Sequence, residues 1–257
     1  MGKDGSRTKL RSPVENTAFF VAANPAHEKE GKCIFPGLSL CMVSSALLLT
    51  AYAPPASYVA QCLRFPRVVI EQWENYQKGS YRNRCHIASS HGVLRLSIPL
   101  LQGKHQRMPI REVQIDHRER WTKNHLETLI TAYGSAPFFE EYYELFEPVY
   151  QKQPAFLFDL NLELLQTTVK AMRISCSIEL SQEYERFPVP ECADLRQAIS
   201  PKEPQKLLGQ LEWNPVPYPQ VFEERHGFLS DLSIFDMLFC LGPESILNLG
   251  EGLTDNR

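Results

Sequence analysis

Glu71-Gln72-Trp73-Glu74-Asn75-Tyr76-Gln77-Lys78-Gly79-Ser80-Tyr81-Arg82-Asn83-Arg84-Cys85-His86-Ile87 is the stretch around which the chain is organised. Arg67-Val68-Val69-Ile70, a β-branched run of the kind that makes a buried strand, precedes it, and a second apolar run from Val93 to Leu100 follows. The pattern predicts a polar loop held between two core strands. The loop contains three cations (Lys78, Arg82, Arg84), two carboxylates (Glu71, Glu74), and the amide, hydroxyls and ring of Asn83, Tyr76, Tyr81 and Trp73. Arginine offers a planar fork of donors matched to phosphate or carboxylate oxygens, and lysine a mobile point charge, so the mixture suits an anion or a sugar. A solvated, salt-bridged connection is the plainer alternative. Loops on a rigid sheet, however, are where binding residues concentrate.

Upstream, Ala46 to Tyr52 is expected to form the first buried strand. Pro54-Pro55 stop it and open a helix at its first turn. Tyr58, Val59, Cys62 and Leu63 follow at helical spacing, and Phe65-Pro66 end that helix before the Val68 strand. Strand, turn, helix and strand in this order predict a helix N-terminus with free N–H groups at the carboxyl end of the sheet, where α/β proteins bind anions. Tyr52 and Tyr58 should then approach Lys78, Arg82 and Arg84. The chain contains neither H-x-G-H nor G-x-G-x-x-G, so its likeness to nucleotidyl-transferring folds stops at the fold.

Downstream, Val93 to Leu100 and Arg111 to Ile115 read as strands joined by a basic connection, Gln102 to Arg107. Three helical stripes follow: Trp121, Leu126, Leu129, Ile130 and Tyr133; then Phe138, Phe139, Tyr142 and Tyr143; then Phe156, Leu160, Leu164, Leu165 and Val169. The break at Tyr133-Gly134-Ser135 allows a ligand to approach backbone closely, which makes Tyr133 and Ser135 site candidates. Ser177 to Leu180 is a further strand, and the proline-rich Trp213 to Pro219 segment reads as a lid. Leu232, Phe235, Leu238 and Phe239 form a last helix, capped near Ser230 or Asp231, with Asp236 on its polar side. The resulting fold class is α/β, a single domain with a central, mostly parallel or mixed sheet, a helical middle segment and a C-terminal helix.

Composition narrows the function classes. The 257 residues are 43% apolar and 22% charged, with net charge -3, so no basic footprint for nucleic acid is present. Seven scattered cysteines without C-x-x-C spacing argue against a zinc site or disulfide framework and fit reduced thiols of a cytoplasmic protein. No metal ligands are assigned. Cys33 to Ala53 runs 21 residues without a charge, yet Pro36, Gly37, Ser39, Ser44 and Ser45 lower its apolarity, so neither an integral membrane segment nor a signal peptide is expected. The domain is expected over residues 42–250, with 1–41 a disordered extension or a start-site artefact and 251–257 a tail.

The run Tyr76 to Arg84, together with Gly92-Val93-Leu94-Arg95-Leu96-Ser97-Ile98-Pro99, Pro109 to Val113, Tyr133 to Phe139 and His226 to Phe239, resembles the WbqC-like protein family. The resemblance implies a place in bacterial surface-polysaccharide and O-antigen biosynthesis, and a transferase that joins a glycyl-like aminoacyl group to a nucleotide-linked amino sugar. In that reaction Lys78, Arg82 and Arg84 hold phosphate, and Asn83 and Tyr76 orient the sugar. His226 or Glu71 takes the ammonium proton, because a protonated amine cannot attack a carbonyl. ATP and Mg²⁺ enter only if the donor is an adenylate, and a carrier-bound donor needs neither. The alternative is a non-catalytic nucleotide-sugar or phosphate-binding protein, which needs the cations but no base.

Overall fold

The computed structural model describes residues 43–101, 108–186, 188–202 and 211–253. The expected N-terminal extension and the basic Gln102 to Arg107 connection lie outside the described residues. Strand β1 (Ser45–Leu49) is buried almost throughout, as befits an apolar run covered on both faces. Helix α1 (Ala56–Arg64) follows, then β2 (Arg67–Glu71), parallel to β1 with Leu47 opposite Val69. Strands β5 (Ser177–Leu180) and β6 (Cys192–Asp194) complete a fully parallel sheet in the order β5-β2-β1-β6. The mostly parallel α/β architecture is therefore as expected. No helix among the described residues is long and apolar enough to cross a membrane.

The organising stretch is not a loop to its end. After a 3₁₀ turn at Tyr81–Asn83, β3 (Arg84–Ser89) pairs antiparallel with β4 (Gly92–Ser97) as a separate two-stranded ribbon. The expected core strand from Val93 is largely exposed, with only Leu96 of β4 buried. A ribbon covered on one face alternates polar and apolar residues, and Arg84-Cys85-His86-Ile87 does so. The expected Arg111 to Ile115 strand is likewise replaced, by a 3₁₀ turn at Ile110–Glu112 and isolated bridges from Gln114 and Ile115. Pro109, without an N–H, opens that turn.

Helices α2 (Trp121–Tyr133), α3 (Phe139–Gln151) and α4 (Leu157–Ala171) follow the three predicted stripes closely. Beyond the sheet come α5 (Glu223–His226), α6 (Ile234–Leu241) and α7 (Ser245–Gly252). The cap of α6 is Ser233, whose hydroxyl accepts from the Phe235 N–H, rather than Ser230 or Asp231. Its end is Gly242 at φ +55, where a Cβ would stand 2.5 Å from the Phe138 ring. The Trp213 to Pro219 segment does not lie open as a lid would, because Trp213 and Tyr218 are buried and the Asn214 N–H donates to Gly252 O at 2.8 Å. The fold also runs past residue 250, since α7 ends at Gly252 and Leu253 pairs with Trp213.

Candidate functional site

All four parallel strands end at one edge of the sheet. The chain passes from β1 through α1 to β2 on one side, whereas β6 lies on the other, so the order reverses between β1 and β6. Open α/β sheets bind ligands in the crevice at such a reversal. A cleft opens there, walled by Thr50, Tyr58, Tyr81, Arg82, Arg196 and Ile199. The Tyr58 hydroxyl donates to Leu49 O at 2.9 Å, which ties α1 to the end of β1.

Two guanidinium groups face this edge, and each is held by carboxylates of the chain. Arg82 is buried and forks onto Glu74, with Nε donating to Oε1 at 2.8 Å and Nη2 to Oε2, while its carbonyl accepts from Asn161 on α4 at 2.8 Å. Burial raises the Glu74 carboxyl above its ordinary range, and Arg82 pulls against that rise. Arg196 donates from Nε and Nη2 to Asp194 at 2.8 and 2.7 Å, and from Nη1 to Glu185 O at 2.7 Å. These hydrogen bonds hold Asp194 below the usual carboxylate range. Glu71 is fully buried. Its Oε1 accepts from the Trp73 N–H and the Ser181 hydroxyl, both at 2.8 Å, whereas Oε2 has no hydrogen-bond partner and lies 3.7 Å from Arg196 Nη1. Among the described residues no three His, Cys, Asp or Glu side chains converge on a metal position.

Of the residues singled out in the sequence, the structure brings Tyr58, Glu71, Tyr81 and Arg82 to this edge. Tyr76 and Asn83 meet each other instead, hydroxyl to Oδ1 at 3.1 Å, and Asn83 Nδ2 donates to Ile98 O at 3.0 Å, which pins the loop to the exit of β4. Lys78 is exposed, and Arg84 stands on the β3–β4 ribbon. The Tyr52 N–H donates to Tyr81 O at 2.8 Å, but its side chain turns inward, away from the loop cations. It is buried, with its hydroxyl 2.8 Å from His125 Nδ1 and 2.7 Å from Tyr150. Tyr133 is also internal, donating to Asp236 at 2.8 Å and accepting from the Ala88 N–H at 2.9 Å, while Ser135 is exposed at the α2–α3 turn. His226 Nε2 lies 3.2 Å from Ser90 O in the ribbon turn. Ser90 is roughly 20 Å along an extended strand from Arg84, so His226 and the crevice sit at opposite ends of the ribbon. Arg196, Asp194 and Ser181 were missed. Asp194 ends β6 and Arg196 follows in the turn, its N–H donating to Asp194 Oδ1 at 3.2 Å, and only the pairing of β6 with β1 reveals which edge they serve.

The helix N-terminus expected to receive an anion is already occupied. Asp231, at φ +53, accepts from the Ser57 N–H at 2.8 Å and from its hydroxyl at 3.0 Å, and the Ala56 N–H donates to Leu232 O. Asp231 therefore caps α1 from 174 residues away. Asp231→Ala should destabilise the protein by about 1 kcal/mol, the usual worth of a cap, with Asp231→Asn losing less. Urea midpoints measured for both variants check the order.

The model of the WbqC-like protein family matches residues 50–199, which include Glu71, Glu74, Arg82, Asp194 and Arg196. The Mycobacterium tuberculosis (strain ATCC 25618 / H37Rv) "Uncharacterized protein Rv1507c" is 30% identical over 147 residues, 56% of this chain and 62% of that protein. The chain thus matches less than two thirds of that relative's length. No solved structure matches the chain significantly.

Proposed function

We propose that this chain, which belongs to the WbqC-like protein family, transfers an aminoacyl group to the amine of a nucleotide-linked amino sugar at the crevice between β1 and β6. The observation that carries the reading is the Glu71 oxygen Oε2, buried without a hydrogen-bond partner at the carboxyl edge of the sheet, 3.7 Å from the Nη1 of Arg196, which lines the cleft. An amino-sugar ammonium that enters beside Arg196 gives its proton to this oxygen. The free amine then adds to the acyl carbonyl and forms the C–N bond, the tetrahedral oxyanion takes hydrogen bonds from the Arg196 guanidinium, and the carbonyl re-forms as the bond to the donor's leaving group breaks, that group carrying away the second proton of the adduct nitrogen. Arg82, fixed by Glu74 and Asn161, forms the rigid wall opposite. His226 has no part in this reading, because the ribbon holds it at the far end.

Glu71→Gln keeps the shape and the bonds to Trp73 and Ser181 but removes the proton acceptor. Amide formation, followed by mass spectrometry with UDP-amino sugar and either glycine, ATP and Mg²⁺ or a glycyl thioester, should fall about 100-fold. Nucleotide-sugar affinity should be retained. A second reading, a non-catalytic nucleotide-sugar-binding protein, is favoured by one fact: both crevice arginines already hold carboxylates. Tight nucleotide-sugar binding with no transfer from either donor would establish that reading instead.

A further inference from the structure

The β3–β4 ribbon has a cationic face that the crevice chemistry leaves unused. Cys85, Ile87 and Leu96 turn into the core, so Arg84 and His86 of β3 share the other face with Arg95 and Ser97 of β4. The register sets His86 opposite Arg95 and Arg84 opposite Ser97, which places the two arginines diagonally across the ribbon, within reach of one ligand. Cations set opposite one another on one sheet face repel, whereas opposite charges there stabilise the pairing. Here, among the described residues, neither arginine makes an ion pair, and Arg84 Nε is buried with no acceptor. Burial, reinforced by both arginines, pushes the His86 imidazole below its ordinary pKa. The Tyr81 ring stands edge-on to His86 at 5.6 Å and also walls the crevice, so the face and the cleft share a boundary.

We infer that Arg84, His86 and Arg95 form a binding site for a diphosphate group. Two guanidinium forks on one face match the paired phosphoryl oxygens, and His86 between them supplies a further N–H donor. The inference deepens the proposed function, on which it rests only for the source of the diphosphate: it would hold the diphosphate of the substrate while the sugar crosses Tyr81 into the crevice. The groups facing His86 are Arg84, Arg95 and Tyr81, and Asp231 lies close enough to Tyr81 to act on its hydroxyl. A bound dianion adds negative charge to this set and raises the imidazole pKa.

The test titrates inorganic pyrophosphate, UDP and a short prenyl diphosphate into the full chain, with calorimetry for affinity and the His86 ring resonances for protonation. Pyrophosphate should bind and move the His86 titration upward, and Arg95→Gln, on an exposed position that leaves the fold intact, should weaken binding about tenfold or more. Arg84→Gln should do the same, with an unchanged circular-dichroism spectrum as the folding control. Tighter binding of UDP identifies a nucleotide source and tighter binding of the prenyl compound a lipid source, and either supports the site. Absence of pyrophosphate binding at millimolar concentration, or binding that leaves His86 and the Arg95→Gln affinity unmoved, overturns it. Pyrophosphate binding without any transfer activity keeps the site and removes the enzyme reading. Transfer with an unaltered nucleotide-sugar KM in Arg95→Gln does the reverse.

Discussion

Replacing Asp236 by alanine lowers the stability of the protein by about 4 kcal/mol. The carboxylate is fully buried on α6 and accepts from the Tyr133 hydroxyl at 2.8 Å, the Tyr218 hydroxyl at 2.7 Å and Gln220 Nε2 at 2.8 Å. Burial raises its pKa, and the three donors pull against that rise. Two of the three donors are themselves committed: Tyr133 takes the Ala88 N–H from β3, and Gln220 bridges both backbone groups of Leu229. One carboxylate thereby joins α2, α6, the ribbon and the segment around Tyr218. Alanine removes the acceptor and leaves three buried donors, each costing roughly 1–3 kcal/mol before relaxation. At about 2–4 °C per kcal/mol for a chain of this size, the melting temperature should drop by roughly 10 °C. Asp236→Asn keeps an acceptor oxygen but aims an N–H₂ at donors, so it should fall between wild type and alanine. A drop of less than about 1 kcal/mol for alanine in urea titrations would mean that the hydroxyls find other partners.

Asp236 also shows what could and could not be read from the sequence. A lone Asp in an apolar helical stripe marks the polar side of an ordinary surface helix, but Ile234 through Cys240 are all buried, so α6 has no polar side. The partners that make its burial tolerable lie 103 and 18 residues away, beyond any local pattern. By contrast β1, α1, β2, β5 and the three middle helices announce themselves, because continuous apolar runs and 3.6-residue stripes are set by what each segment buries locally. Strand β6 has only Cys192, Ala193 and Asp194 and becomes a strand through pairing with β1, so Arg196 stayed unassigned with it. The loop cations were visible as residues, but not the division between them: Arg82 turns to Glu74 and the crevice, while two positions on, Arg84 joins the ribbon's outer face. That division follows from the switch at Asn83 from a 3₁₀ turn to period-two extended backbone.

His125 makes the protein sensitive to acid. Its ring is buried on α2, with Nδ1 2.8 Å from the Tyr52 hydroxyl, a hydrogen bond to the Ser97 backbone, and the Trp121 ring edge-on at 5.3 Å. Burial pushes its pKa down to about 4 from the ordinary 6.5, and the Ser97 bond opposes this only in part. The folded pKa lies below the unfolded one, so the unfolded chain takes the proton first. The contribution of His125 is full above about pH 6.5 and is lost as pH falls through about 4, amounting to roughly 3 kcal/mol at 1.36 kcal/mol per pH unit. Asp231 works in the opposite sense. Desolvation pushes its carboxyl up to about 7, above the unfolded value, so its contribution is fully present at low pH and is lost as pH rises through 7. The raw stability curve therefore mixes two slopes of opposite sign, and the difference between wild type and His125→Gln separates them. Measured as urea midpoints from pH 7.5 to 4, that difference should shrink by about 3 kcal/mol toward the acid end, while the variant alone gains stability over the range in which Asp231 takes up its proton. A constant difference would require a folded state that already accepts the proton on His125, with the Tyr52 hydroxyl turned to receive it and the Tyr150 hydroxyl left to find another acceptor.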